Sequence, residues 1–155
     1  MDKNNTPVNI YIDLSKAFDT INFEILLYKI RYYGVTGTPY QLIKNYLTNR
    51  FQYVKYDRYE STSKSITTGV PQGSILGPLL FSIYINDLVT VSEKLNYVMY
   101  ADDTTIYFNL EDFPTHDLSK SVTTELSKIS LWLKNNKLSL NVEKKHDFSH
   151  SPKCY

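Results

Sequence analysis

The sequence predicts an α+β fold: the elements of a split β-α-β-β-α-β unit, forming an antiparallel sheet with helices on one face. Three observations carry that prediction. Val8-Asn9-Ile10-Tyr11-Ile12-Asp13 alternates with period two and ends on a carboxylate. Two β-rich runs, 96–100 and 104–109, flank Ala101-Asp102-Asp103 in the manner of a hairpin. Leu118, Val122, Leu126, Ile129 and Leu133 recur at the spacing of one helical face.

The remaining elements follow in chain order. Alternation over the first strand puts Val8, Ile10 and Ile12 on one face and Asp13 on the other. Asn22 is a suitable cap for a helix reaching about residue 33, with Ile25, Leu26, Ile30 and Tyr33 at helical spacing and Gly34 as its stop. Thr38-Pro39-Tyr40-Gln41 combines a capping box with proline at the first helical position, and that helix should end near Leu47. Residues 51–68 alternate aromatic and polar side chains and predict a hairpin inserted between the helices, followed by the loop Gly69-Val70-Pro71-Gln72-Gly73. Leu79, Leu80, Ile83, Tyr84 and Leu88 suit a largely buried helix over 78–91. A final strand is expected over 138–142. Residues 1–144 are expected to form the domain and 145–155 a frayed tail.

Length and composition narrow the function classes. A chain of 155 residues suits one domain with a real core. With 17 Lys+Arg against 16 Asp+Glu, the net charge of +1 excludes a polybasic tail as the sole means of binding nucleic acid. A lone Cys154 excludes a disulfide framework. Met1-Asp2-Lys3-Asn4-Asn5 opens without an apolar segment, and the longest apolar stretch, 75–85, is interrupted by Gly77 and Pro78. The expectation is an intracellular chain, in nucleus or cytoplasm, neither secreted nor engaged with a membrane.

Asp13 closes a strand while Asp102 and Asp103 occupy a tight turn. If the two strands are neighbours, these carboxylates converge, and like charges at ~4 Å repel unless a cation or protons compensate them. All-oxygen ligands suit magnesium, and two such ions ~3.5–4 Å apart clamp the attacking and leaving oxygens of a phosphoryl displacement. The plainer reading is turn chemistry for the Asp-Asp pair, which leaves Asp13 unexplained.

Tyr100-Ala101-Asp102-Asp103 resembles the signature turn of reverse transcriptases. Ile12-Asp13-Leu14-Ser15-Lys16-Ala17-Phe18-Asp19 is similar to the first catalytic motif in its LINE-type (non-LTR) retrotransposon form. Gly69-Val70-Pro71-Gln72-Gly73-Ser74-Ile75-Leu76-Gly77-Pro78-Leu79-Leu80-Phe81 and Ile85-Asn86-Asp87-Leu88 resemble the segment between them, and Trp132 with Lys137-Leu138-Ser139-Leu140-Asn141-Val142-Glu143-Lys144 the motif after. The similarity covers about residues 8–144 in the family's order, whereas Tyr-Ala-Asp-Asp alone would be weak.

The resemblance implies a polymerase palm with a ferredoxin-like sheet, acting as an RNA-directed DNA polymerase. Asp13 and Asp102 would bridge two Mg2+ ions (Mn2+ as a substitute), Asp103 would support them, and the Leu14 carbonyl would complete one coordination sphere. Phe18 stands where the family places an aromatic gate against the 2′-hydroxyl of the incoming sugar, the alternative being an ordinary core aromatic. Asp19 reads as a cap or anchor for the next helix rather than a metal ligand. Gln72 and Gly73 would approach the nascent base pair, while Pro71 and Gly69 read as loop geometry. Lys144 matches the position of a lysine proposed to protonate the pyrophosphate leaving group, the alternative being a solvated lysine beside Lys145; the family usually has Lys-Thr where this chain has Lys144-Lys145. The implied partners are a primed RNA or DNA template and deoxynucleoside triphosphates (dNTPs). Fingers and thumb regions of a parent polyprotein are expected beyond this isolated palm.

Eight tyrosines lie between Tyr28 and Tyr59, with Lys29, Arg31, Lys44, Arg50, Lys55 and Arg58 against Asp57 alone. Cations neutralise phosphates and rings stack on bases, so Arg50, Lys55 and Arg58 are candidate nucleic-acid contacts. A half-buried tyrosine-rich surface is the competing explanation. His116, His146 and His150 have no metal-ligand spacing with Cys154. Two alternatives to a working polymerase stay open: a catalytically inactive retrotransposon remnant that at most binds nucleic acid, and a viral RNA-dependent RNA polymerase, which would more typically carry Gly-Asp-Asp at the turn.

Overall fold

The structure, a computed structural model, describes residues 7–141. Strand β1 (Pro7–Asp13) pairs antiparallel with β7 (Asp103–Asn109), which in turn pairs with β6 (Asn96–Tyr100), giving the order β1-β7-β6. The β1–β7 register sets Ile10 opposite Ile106 and Val8 opposite Phe108. Ile106 and Phe108 are buried, whereas Tyr11, Val98 and Tyr107 on the other face are exposed. One face therefore packs on helices and the other is open, as an amphipathic antiparallel sheet requires.

Four helices contribute to the core: α1 (Phe23–Tyr32); α2 (Gly37–Leu47), which packs on α1; α3 (Leu76–Ile85); and α4 (Leu118–Asn135). Asn22 caps α1 as expected, its side-chain oxygen accepting from the Ile25 N–H at 3.1 Å. Leu26, Ile30, Leu47, Leu80, Phe81 and Tyr84 meet in the core, joined by Ile129 and Leu133 of α4. Fully burying one such side chain is worth about 1.5–3 kcal/mol, which makes this shared core the main source of helix stability.

Several expectations are corrected. The helix expected to start from Thr38 begins at Gly37 instead, and Thr36 precedes it without a side-chain cap. The buried helix expected over 78–91 starts at Leu76 and turns into a 3₁₀ segment at Asn86–Thr90. Ser74 explains the earlier start, because its hydroxyl accepts from the Gly77 N–H at 3.0 Å and donates to the Pro71 carbonyl at 2.7 Å. The final strand expected over 138–142 is reduced, among the described residues, to the bridge between Leu14 and Leu140, with Ser15 N–H donating to Ser139 and Asn141 N–H to Asp13. This segment still flanks β1 on the side away from β7. The inserted hairpin is nested: β2 (Arg50–Gln52) pairs with β5 (Lys64–Ile66) around the inner pair β3 (Lys55–Tyr56) and β4 (Tyr59–Glu60). The tail expected over 145–155 lies outside the described residues.

Lys29, counted above among the basic residues, is buried. Its Nζ donates to the Asp87 carboxylate at 2.5 Å and the Tyr84 carbonyl at 2.6 Å, and lies 4.8 Å from the Trp132 ring centroid. Burial lowers its pKa, against the opposing pull of Asp87. Asp87, from the Ile85-Asn86-Asp87-Leu88 motif, thus ties α1 to the end of α3. Among the described residues no helix is long and apolar enough to cross a membrane.

Candidate active site

The β6–β7 hairpin turns through only Ala101 and Asp102, because Tyr100 and Asp103 are already a ladder pair. Ala101 takes the left-handed conformation (φ 51°) that so tight a reversal requires. Register then decides the carboxylates. Asp103 stands directly opposite Asp13, with Tyr100 on its other side, so Asp13, Asp103 and Tyr100 form one row at the end of the open face. Residues so opposed have Cβ atoms about 4.5–5.5 Å apart, and two like charges there are unfavourable without compensation. Part of the compensation is visible: the Asn141 side-chain amide donates to the Asp13 carboxylate at 2.8 Å.

Asp102, one residue earlier, lines a neighbouring cleft of about 650 Å³ together with Leu14, Phe18, Gln72 and Gly73. The three carboxylates expected to converge are thus divided between two adjoining hollows, Asp13 and Asp103 sharing one with Asn141. Among the described residues no group of three or more His, Cys, Asp or Glu side chains could hold a metal ion as it stands. The physical reason is the pleat: a turn residue and the strand residue after it do not project the same way. The donor chemistry nonetheless suits a hard cation, since the opposed Asp13–Asp103 pair offers only carboxylate oxygens on two like-charged side chains.

The floor of the cleft is built from two loops. Lys16, at φ 50°, turns the chain after β1, its carbonyl accepting from the N–H groups of Asp19 (2.9 Å) and Thr20 (3.1 Å). The turn presents Phe18, whose ring packs 4.7 Å from that of Phe81. Gly69 donates to Ile21 at 2.8 Å and Val70 to Phe18 at 2.9 Å, zipping the second loop onto the first. Asp19, expected as a helix cap or anchor, is neither: Asn22 is the cap, and Asp19 accepts from the Gln72 side-chain amide at 2.8 Å. Gly73 lies at φ +76° with nothing near its missing side chain, so the chain passes the cleft mouth leaving space.

Residues 2–154 match the sequence profile of the family described as reverse transcriptase (RNA-dependent DNA polymerase). The chain belongs to that family. It is 30% identical over 151 residues to the RNA-directed DNA polymerase from mobile element jockey of Drosophila melanogaster, covering 93% of this chain and 16% of that relative. To the probable RNA-directed DNA polymerase from transposon X-element of the same species it is 28% identical over 144 residues, covering 90% of this chain and 15% of the relative. These relatives make it a LINE-type reverse transcriptase sequence, and the chain spans only about a sixth of their length. A structure of telomerase from Candida albicans, in complex with a fragment of telomeric RNA, superimposes with a TM-score of 0.64 at 14% identity, over 95% of this chain and 28% of that one. That likeness supports the polymerase palm fold. Reverse transcriptases in general use divalent metal ions and act on a primed template.

The other candidates of this reverse transcriptase chain are dispersed. Lys144 lies outside the described residues. Arg50 is turned toward the backbone, donating to the carbonyls of Leu47 (3.0 Å) and Gly69 (2.6 Å). Lys55 pairs with Glu60 at 2.7 Å and Arg58 approaches Asp57 at 3.9 Å, both on the exposed hairpin. Glu60, directly after Tyr59, offsets one of these cations, so the surface is less basic than residues 28–59 alone suggest. Arg31 stacks 4.3 Å from the Tyr40 ring and, with Lys44 and Tyr28, lines a separate cleft of about 720 Å³. Residues that sequence reasoning missed as parts of the site are Asn141, Lys16 and the Asp19–Gln72 contact. Asn141, Lys16 and Asp19 lie inside the quoted motifs, as does Gln72, which the motif itself singles out; motif membership is the signal that points to them.

Proposed function

We propose that this chain is the palm of an RNA-directed DNA polymerase, joining dNTPs to a primer 3′ end on a nucleic-acid template. The observation that carries the proposal is the juxtaposition of the Asp13–Asp103 row with the cleft of Phe18, Gln72 and Asp102 at one end of an open sheet. The sheet face bearing Tyr11, Tyr107 and Tyr100 is exposed and offers rings on which bases can stack.

Asp13, Asp102 and Asp103 would hold the magnesium ions, two in our reading, with the Leu14 carbonyl as a further oxygen. Bound there, the ions would supply charge neutralisation at the reacting phosphate. Phe18 closes the floor of the cleft and excludes a 2′-hydroxyl from the sugar position. Gln72 and Gly73 border the base pair being formed, the glycine leaving room for it. Lys144 is assigned as a proton donor to pyrophosphate. Lys55 and Arg58 exchange weak exposed partners for template phosphates, at little cost, since such pairs are worth about 0–1 kcal/mol. Arg50 holds its own loop and supports the hairpin that carries them.

Two measurements test the proposal. Primer extension on an RNA template, with magnesium or manganese, should give incorporation that disappears in Asp13→Asn and Asp102→Asn. In the 15N-labelled chain, Mn2+ should selectively broaden amide signals around Asp13 and Asp102–Asp103. Extension that survives both substitutions, or broadening centred elsewhere, refutes the assignment.

A further inference from the structure

We propose that Asp19 is a positioning residue for nucleotide selection, acting by fixing which pole of the Gln72 amide meets the substrate; the inference rests on the nucleotide-cleft reading above. A carboxylate only accepts, so the group it contacts at 2.8 Å must be the Gln72 nitrogen. That engages one N–H of the amide with Asp19 and fixes the orientation of the group, leaving the carbonyl oxygen, Oε1, and the second N–H to a ligand. A ligand atom meeting that carbonyl must donate, which a sugar hydroxyl or a base amine can do and a phosphate oxygen cannot.

The backbone around the contact is built to hold it. Asp19 and Gln72 lie 53 residues apart, yet their segments are joined by the Gly69-to-Ile21 and Val70-to-Phe18 hydrogen bonds and by the bridge between Asn22 and Thr68. Gly69 sits so close that a Cβ there would fall 2.7 Å from the Asp19 carbonyl oxygen. Gln72 is exposed and long, so without Asp19 its rotamers would have to be ordered when the ligand binds. Pre-ordering one such side chain is worth about tenfold in affinity.

The test uses the 155-residue chain with magnesium and two probes: deoxythymidine triphosphate, and inorganic tripolyphosphate, which has no sugar or base. Asp19→Ala should weaken binding of the nucleotide about tenfold while leaving tripolyphosphate binding unchanged. In a Gln72→Leu background, Asp19→Ala should have no further effect; with Gln72 present, Asp19→Asn, which keeps a neutral acceptor, should lose less than Asp19→Ala. The side chain is exposed, so the thermal midpoint of each variant should match the wild type and serves as the folding control. Equal weakening of both probes, or an effect that persists without Gln72, overturns the inference while the polymerase reading stands. Failure of the wild-type chain to bind the nucleotide overturns both, and that result is distinguishable because no variant is needed to see it.

Discussion

Gly69 is the position where a single methyl group should do the most damage, and Gly73 is its natural control. Both have positive φ, +82° and +76°, so alanine at either incurs the left-handed penalty of about 1–2 kcal/mol. They differ in surroundings. At Gly73 the new Cβ meets nothing within 4 Å, and part of the penalty is offset because alanine restricts the unfolded chain. At Gly69 it would lie 2.7 Å from the Asp19 oxygen and 2.8 Å from its Cα, both backbone atoms that cannot rotate away. Relief requires the two loops to part, at the expense of the 2.8 Å Gly69-to-Ile21 and 2.9 Å Val70-to-Phe18 hydrogen bonds. At about 1 kcal/mol each, the total for Gly69→Ala comes to about 3–4 kcal/mol, against about 1 kcal/mol for Gly73→Ala. For a domain of this size Gly69→Ala should lower the melting temperature by on the order of 10 °C. Thermal and urea denaturation followed by circular dichroism measures both. Equal destabilisation by the two substitutions would refute the argument that the loops are locked by close backbone approach.

Three further outcomes are expected. Asp87→Ala should destabilise by about 2–3 kcal/mol because it strands the buried Lys29 ammonium, whereas Lys29→Met should be closer to neutral; denaturant unfolding giving the reverse order would contradict the burial argument. Phe18→Val should raise affinity for ribonucleotides relative to deoxyribonucleotides by about tenfold, and equal discrimination in both proteins would reduce Phe18 to packing against Phe81. Glu125 is held below the usual carboxylate range by its hydrogen bonds from Lys128, so its contribution is present above about pH 4.3 and is lost as pH falls through the lower folded value. Unfolding midpoints measured from neutral to acid pH should therefore fall more steeply in the wild type than in Glu125→Gln, and parallel curves would refute the linkage.

Local signals carried much of the fold because they are written in neighbouring residues. The period-two run ending at Asp13, the Asn22 cap and the Leu118–Leu133 stripe each depend on atoms a few positions apart, and each element stands where expected. Competing local signals explain the misses at helix starts. Thr38-Pro39 is a sound cap on paper, but the helix begins at Gly37, and Ser74 lets α3 begin before Pro78.

The order of elements, the family and the membership of side chains in the motifs are legible in the chain alone, since spacing and residue type suffice for these. How those side chains meet is set by strand register and by packing between distant segments. Nothing in the spelling Asp102-Asp103 says which of the two opposes Asp13; the cross-strand register does, and it chose Asp103. Nothing in a count of cations distinguishes Lys29, folded inward onto Asp87, from Lys55, exposed beside Glu60, because burial is set by packing between segments distant in sequence. The Asp19–Gln72 contact has the same origin: its partners are brought together by loops that touch only once the sheet and α3 have closed on a common core.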